Sequence, residues 1–364
     1  MRFDCLVVLT IGLVVTAGVS IGENLVRSPQ VDTDVDIRTT NRPIKAIPHA
    51  GRLIGNDLRA VDQPHVCRGK GAAQTWKDHV MKLSCTSVML PRWDLDETFD
   101  KLAEYGYNGV ELRCRYNPDD SNAEPAFGGR HLSDVSPDNI QDMVAQIRDA
   151  VARTGVKVVA LAPACQLDND DLVDKLIQGA RAIDPDEPPA IRIAAAGHDR
   201  TKPYLPQFDA ARTGFQALVD RLRDSGVKIL YEIHAGTVAV SCSRTRELLR
   251  DLDPAQIGAI YDVPNMIRGS IEDSRLGMEV LGPYLAHCHI GNGVPKSTER
   301  DATGRLQWVW EFSDLREGLA DIPQIIEDFK AVGYSGYVSL EEFGPGDDDA
   351  KVREQGAYLR ELIS

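Results

Sequence analysis

Four side chains that could hold a hard metal ion close four successive apolar runs of this 364-residue chain. Glu232 ends KILYE, Asp262 ends IGAIYD, His289 follows LAHC and Glu341 ends GYVSLE. Three carboxylates and one imidazole make a mostly oxygen donor set, which suits Mn²⁺, Mg²⁺ or Co²⁺ better than a thiolate-seeking ion. Taken singly, an acidic residue in such a place is more simply the N-cap of the following helix. A lone histidine in an apolar strand is more simply a satisfied core residue. The set outweighs these readings because its parity agrees. Leu230, Glu232 and His234 alternate onto one strand face, as do Gly258, Ile260 and Asp262, then His287 and His289, then Tyr337, Ser339 and Glu341. Glu342 must then point the opposite way, and His287 lies one layer deeper than His289.

Elements of a regular kind have to position these groups. From Met81 onward, short β-rich runs alternate with amphipathic helical stretches, the pattern of βα units. Strands are expected at 82–86, 109–113, 156–161, 190–195, 227–233, 257–262, 285–290 and 336–341. Helices are expected near 94–105, 138–154, 169–183, 207–225, 243–252, 273–281, 321–332 and 349–363. Gly106, Gly155, Gly226 and Gly333 stand between a helix and the next strand, where a left-handed C-cap belongs. Eight of each element count out to an α/β fold, a (β/α)8 TIM barrel over 81–364. An open doubly wound sheet would want a glycine-rich phosphate turn after its first strand, and Ser87-Val88-Met89-Leu90-Pro91 has no glycine. In a barrel, chemistry sits at the C-terminal ends of the strands, which is where the four residues fall.

At this point the sequence resembles a known family, the xylose-isomerase-like barrels of sugar-phosphate isomerases and epimerases. The likeness covers 81–364 and is strongest in the second half. KILYEIHAGTVAVSCSRTRELL (228–249) resembles the family's strand-five unit, IGAIYDVPN (257–265) its strand-six Asp-x-x-His or Asp-x-x-Asn element, and LAHCHIGN (285–292) its strand-seven element. DIPQIIEDFKAVGYSGYVSLEEF (321–343) is similar to its closing helix–strand unit. Carried across, the metal ligands implied are Glu232, Asp262, His289 and Glu341, the same four. Two departures concern the substrate side: Asn265 stands where many epimerases have a substrate-binding histidine, and Gly291-Asn292 replace a common Lys-Asp.

The chemistry that the resemblance implies is removal of a proton next to a carbonyl of a sugar or sugar phosphate, with one divalent metal as Lewis acid. Return of the proton gives an isomerase or epimerase; loss of a β-hydroxyl gives a lyase or dehydratase acting on a keto-sugar or keto-inositol. Glu232 and Glu341 are the expected catalytic bases. His234, Asn265, Arg113 and Glu111 are expected to bind substrate, Arg113 toward an anionic group, although a structural Glu111–Arg113 ion pair is the simpler reading of those two. Trp308 and Trp310, in the excursion over 291–320, could wall the pocket or only pack that loop down. A non-catalytic carbohydrate-binding protein is a weaker alternative, because both glutamates are retained. An apurinic-site endonuclease is weaker still, because strand three ends Leu161-Ala162-Pro163-Ala164 without the additional histidines such a site needs.

Charge and composition narrow the partners. The net charge is −14, and 81–364 carry 31 basic against 47 acidic residues, so nucleic acid is not an expected partner. A small carbohydrate ligand and a possible homo-oligomer are. The seven cysteines are scattered with no Cys-x-x-Cys pair, which suggests free buried thiols rather than a disulfide framework or zinc ribbon. Residues 5–22 run 18 positions without a charge, as in a signal peptide or N-terminal anchor. Residues 23–80 lack periodicity, as a disordered linker does. Either the chain is exported or anchored through 1–22, or its true start is Met81 and it is cytoplasmic.

Overall fold

Alternation of β-branched strands with one-sided amphipathic helices closes here into a ring of eight parallel strands. A computed structural model describes residues 80–364 apart from Ser121 and Ala196. The expected leader or anchor (1–22), and the expected linker up to residue 79, lie outside the described residues. In chain order the elements are β1 (Lys82–Thr86), α1 (Leu95–Glu104), β2 (Gly109–Arg113), α2 (Ile140–Thr154), β3 (Lys157–Ala162), α3 (Asp170–Ile183), β4 (Ala190–Arg192), α4 (Tyr204–Leu222), β5 (Ile229–Glu232) and α5 (Cys242–Leu249). There follow β6 (Ile257–Asp262), α6 (Val263–Gly269), α7 (Ser274–Leu281), β7 (Leu285–Ile290), β8 (Asn292–Arg300), β9 (Leu306–Ser313), α8 (Ile322–Ala331), β10 (Tyr337–Leu340) and α9 (Asp348–Ile363).

The closed order is β1-β10-β7-β6-β5-β4-β3-β2, so the fold is the (β/α)8 barrel that the alternation implied. All eight expected strands are present, within a few residues of their expected ends. Strand β4 stops three residues early, at Arg192, beyond which the chain makes only the isolated bridge of Ala194 with Gln166. Gly106, Gly155, Gly226 and Gly333 all adopt left-handed φ between 73° and 78°, which explains the residue type at those helix ends. At the N-terminal end of six helices a side-chain cap starts the turn: Asp94, Asn169, Ser241, Asp273, Asp321 and Asp347 each accept a hydrogen bond from a first-turn N–H.

Leu230 and Ile260, assigned to the lumen by parity, pack there with Ala160 beneath the strand ends. The outward strand residues bury Val110, Leu112, Tyr231 and Ile257 against the helix ring. Two elements were not expected. Residues 292–313 form an antiparallel hairpin, β8–β9, standing off the barrel, and 263–269 form the short helix α6. The hairpin strands escaped notice because β8 (NGVPKSTER) carries Pro295 and mixed charges, is exposed over most of its length, and so shows no period-two alternation. Among the described residues no helix is long and apolar enough to cross a membrane.

Candidate metal centre

His289 organises the mouth of the barrel. It is fully buried in β7, and its Nδ1 faces three carboxylates: Asp262 Oδ2 at 3.1 Å, Glu232 Oε1 at 3.3 Å and Glu341 Oε2 at 3.4 Å. One donor atom from each of the four residues lies within 4.8 Å of every other. The four side chains of the sequence reading are therefore brought together. The other ring nitrogen, Nε2, faces a fourth carboxylate, Glu111 Oε2, at 2.7 Å, and His287 Nε2 approaches the same oxygen at 3.2 Å.

Local structure fixes each group. Asp262 is the last residue of β6 and caps α6: one oxygen accepts from Asn265 N–H at 2.8 Å while the other faces His289. The plain reading as a helix cap and the reading as a ligand are both true of it, on different oxygens. Glu341 continues β10 beside β7, its N–H bonding Ile290 C=O at 2.8 Å. That crossing is tight, since a Cβ on Gly291 would fall 2.1 Å from Glu341 O. This accounts for glycine where a lysine is common. Asn292, where an aspartate is common, is buried and staples the hairpin. It donates to Leu315 O and Ala320 O and accepts from the Gly293 and Ala320 N–H groups. Glu342 points away from the lumen toward Lys351 of α9, as parity required.

Arg192, at the end of β4, balances part of this charge, with Nη1 3.1 Å from Glu232 Oε1 and 3.8 Å from Glu111 Oε1. Burial opposes ionisation of Glu232, but Arg192 and His289 outweigh it and hold its carboxyl well below the usual range. Burial likewise opposes ionisation of Glu111, but the His289 charge and both histidine hydrogen bonds overcome it and hold its carboxyl well below the usual range. Burial and the neighbouring Glu341 charge push Asp262 up to about 7. His289 moves the other way from a buried imidazole's habit, raised well above its usual value because Glu341 and Glu111 outweigh desolvation. Carboxylates crowded around one nitrogen, with one of them pushed toward neutrality, are what a divalent cation would relieve. The donor set fits such an ion, Nδ1 and the three carboxylates ligating while Glu111 holds the opposite N–H.

The remaining expected site residues divide. His234 and Asn265 line the cleft; Asn265 Oδ1 also accepts from Ala235 N–H at 3.1 Å. Glu111 and Arg113 need correction. Glu111 is completely buried beneath His289, so it orients the imidazole and does not reach substrate. Arg113 neither pairs with Glu111 nor lines the cleft: its guanidinium is turned to the carbonyls of Arg115 and Tyr116. Alternation failed there because the chain leaves the sheet at Arg113. Two arginines were missed. Arg192 had a visible signal, a charge inside the apolar run AIRIAA; Arg115 lies in coil, where no periodicity points.

Above the ligands the cleft comprises two adjoining cavities of about 330 and 370 Å³ that share Arg115, Arg192, Glu232 and His234 in their walls. The first is closed on one side by Trp310 and Phe312 of the hairpin and by Phe127 and Phe343. Phe343 packs against both phenylalanines, tilted on Phe127 with ring centroids 4.2 Å apart and edge-to-face with Phe312 at 5.4 Å. Trp308, farther out on β9, is 60% exposed and takes no part.

Known proteins share this fold. The chain is 20% identical over 262 residues to an inosose dehydratase of Lacticaseibacillus casei, covering 68% of this chain and 81% of that one. Among solved structures, the apo 3-keto-D-glucoside 4-epimerase YcjR from E. coli superposes with a TM-score of 0.56 at 14% identity, covering 77% of this chain and 99% of that one. The IOLI protein with a bound zinc atom gives 0.53 at 16% identity, covering 78% and 96%. A family model described as a xylose isomerase-like TIM barrel matches residues 99–362, and with the closed parallel ring and its mouth in view, the chain belongs to that family.

Proposed function

We propose that this chain is a divalent-metal-dependent enzyme that removes a proton next to the carbonyl of a sugar-like polyhydroxy ketone and returns it elsewhere, as an isomerase or epimerase. The observation that carries this reading is the convergence of Glu232, Asp262, His289 and Glu341 within 4.8 Å at the floor of a cleft sized for a small polyol. Similarity to an inosose dehydratase and to a keto-glucoside epimerase supports an enzyme with a carbohydrate-like substrate. The zinc of the IOLI protein supports a divalent ion. When bound, that ion supplies Lewis acidity toward the substrate's carbonyl oxygen.

The chain's own groups do the rest. Asp262 and His289 are fully buried and serve to hold position. Glu232 and Glu341 both reach the cleft, from β5 and β10, three strands apart around the ring. They can therefore address a substrate from two sides, one taking a proton and the other giving one. Arg192 keeps Glu232 ionised, the state a base needs. Trp310, Phe312 and Phe343 exclude water from one wall and offer apolar ring faces to a sugar.

A second reading is a dehydratase, which begins with the same proton abstraction and then expels a neighbouring hydroxyl. The inosose dehydratase likeness favours it. One experiment tests both: ketoses, ketose phosphates and keto-inositols are incubated with the Mn²⁺-loaded protein in deuterated water. Exchange of the α-proton is expected in the wild type, slowed at least ~100-fold in Glu341→Gln or Glu232→Gln. A product lighter by one water selects the dehydratase. No exchange across the panel at full metal occupancy refutes the reading.

A further inference from the structure

Resting on that function, the geometry points to a carboxylate on the substrate, gripped by Arg115 at the junction of the two cavities. Arg115 is half-buried and lines both cavities, the first of them together with the aromatic residues. Its Nε is tethered to Ala162 C=O at 3.0 Å, which fixes the guanidinium plane and leaves both terminal nitrogens without a hydrogen-bond acceptor among the described residues. No carboxylate lies within ion-pair distance of it among those residues. Two further guanidiniums, Arg192 and Arg113, stand close enough to repel it: burial, Arg192 and Arg113 together lower its pKa to about 10. Two arginines, Arg115 and Arg192, in the walls of one cleft of a protein of net charge −14 are not the pattern of a solvated acidic surface.

Only one of these charges is available to a ligand inside the cleft. Arg192 is spent on Glu232 at 3.1 Å, and Arg113 is buried with its donors on the Arg115 and Tyr116 carbonyls. Those two bonds brace the backbone that presents Arg115. Arg268 lines the first cavity but is exposed, where water screens it. One free, partly desolvated, planar fork matches a monoanion with two coplanar oxygens, which is a carboxylate. A phosphate dianion would ask for a second free cation or a nest of backbone N–H groups. The substrate class is thus a polyhydroxylated keto acid, its carbonyl toward Glu232 and Glu341 and its carboxylate toward Arg115.

The test compares compounds that differ at one terminal carbon: D-fructuronate, D-fructose and D-fructose 6-phosphate, and likewise D-tagaturonate against D-tagatose. Binding to the Mn²⁺-loaded full chain is measured by calorimetry, independent of turnover. The acids are expected to bind ~10–100-fold tighter than their neutral partners, the scale of a charge-assisted pair. Arg115→Met removes that preference and leaves the Kd of Mn²⁺ unchanged; Arg115→Lys retains part of it. No preference for the acid, a preference for the phosphate, or a preference that survives Arg115→Met overturns the inference. Acid preference without α-proton exchange would instead sink the enzymatic reading and leave this one standing.

Discussion

Replacing Glu111 by glutamine isolates the group that holds His289 without touching any of the four converging ligand atoms. The carboxylate is wholly buried, accepts from His289 Nε2 at 2.7 Å and His287 Nε2 at 3.2 Å, and turns its other oxygen toward Arg192 at 3.8 Å. In Glu111→Gln the amide oxygen can serve the histidines, but the amide NH₂ must then face the Arg192 guanidinium, donor against donor. The imidazole loses an anionic partner, so Nδ1 becomes a poorer base and its ring orientation is less firmly set. Loss of such a partner costs a ligating histidine ~10–100-fold in metal affinity, or about 1.4–2.7 kcal/mol at 1.36 kcal/mol per tenfold. The fold should lose about 1–3 kcal/mol for the misdirected buried amide, since Arg192 keeps Glu232. Competition of the purified variant with a chromophoric chelator for Mn²⁺ reads the affinity, and thermal melting reads the fold. An affinity within about threefold of wild type shows that Glu111 does not orient His289. A loss as complete as that of His289→Ala puts Glu111 among the ligands instead of beneath them.

Two further outcomes follow from the same geometry. In the metal-free protein His289 is held protonated and Asp262 is pushed up to about 7, so metal uptake should release two protons well below pH 7 and about one above it. Affinity then rises with pH, more steeply on the acid side; calorimetry in two buffers of different ionisation heat counts the protons, and uptake without release contradicts the charge assignment. Asn292→Ala removes four buried hydrogen bonds and should cost ~3 kcal/mol, with new proteolytic cleavage between 293 and 320; an unchanged melting temperature and cleavage pattern would show that the staple is idle.

Much of the fold and the four converging side chains were legible because they obey a period. Strand parity sorted Glu232, Asp262, His289 and Glu341 onto the lumen face and turned Glu342 outward, and left-handed glycines marked four helix ends. What escaped obeys no period. Arg115 lies two residues past the end of β2, where alternation ceases, so the reading settled on Arg113, the last residue that parity could place. Glu111 did share the lumen face as read, but its depth decided its role. It lies under His289 rather than above it, and depth depends on register across the barrel: Glu111 pairs with Thr86 on one side and Ala160 on the other, with an irregularity before it. The hairpin over 292–313 shows no alternation, since β8 is exposed over most of its length and carries Pro295 and mixed charges.

Charge balance joins the two ends of the cleft. Four carboxylates, Glu111, Glu232, Asp262 and Glu341, surround one guanidinium and two imidazoles, of which only His289 is held charged. Burying that much negative charge beside so few cations is costly unless more positive charge arrives. Two substitutions for solvent are open to the protein. A proton on His289 and partial protonation of Asp262 suffice in the metal-free state, which is the direction both groups move. A divalent cation bound there would displace those protons and favour the ionised form of Asp262. Arg115 lines the same cleft, its Nε tethered to a neutral carbonyl, repelled by Arg192 and Arg113 and attracted by Glu232 and Glu111. The acidic floor and the Arg115 guanidinium thus present opposite charges within one cleft.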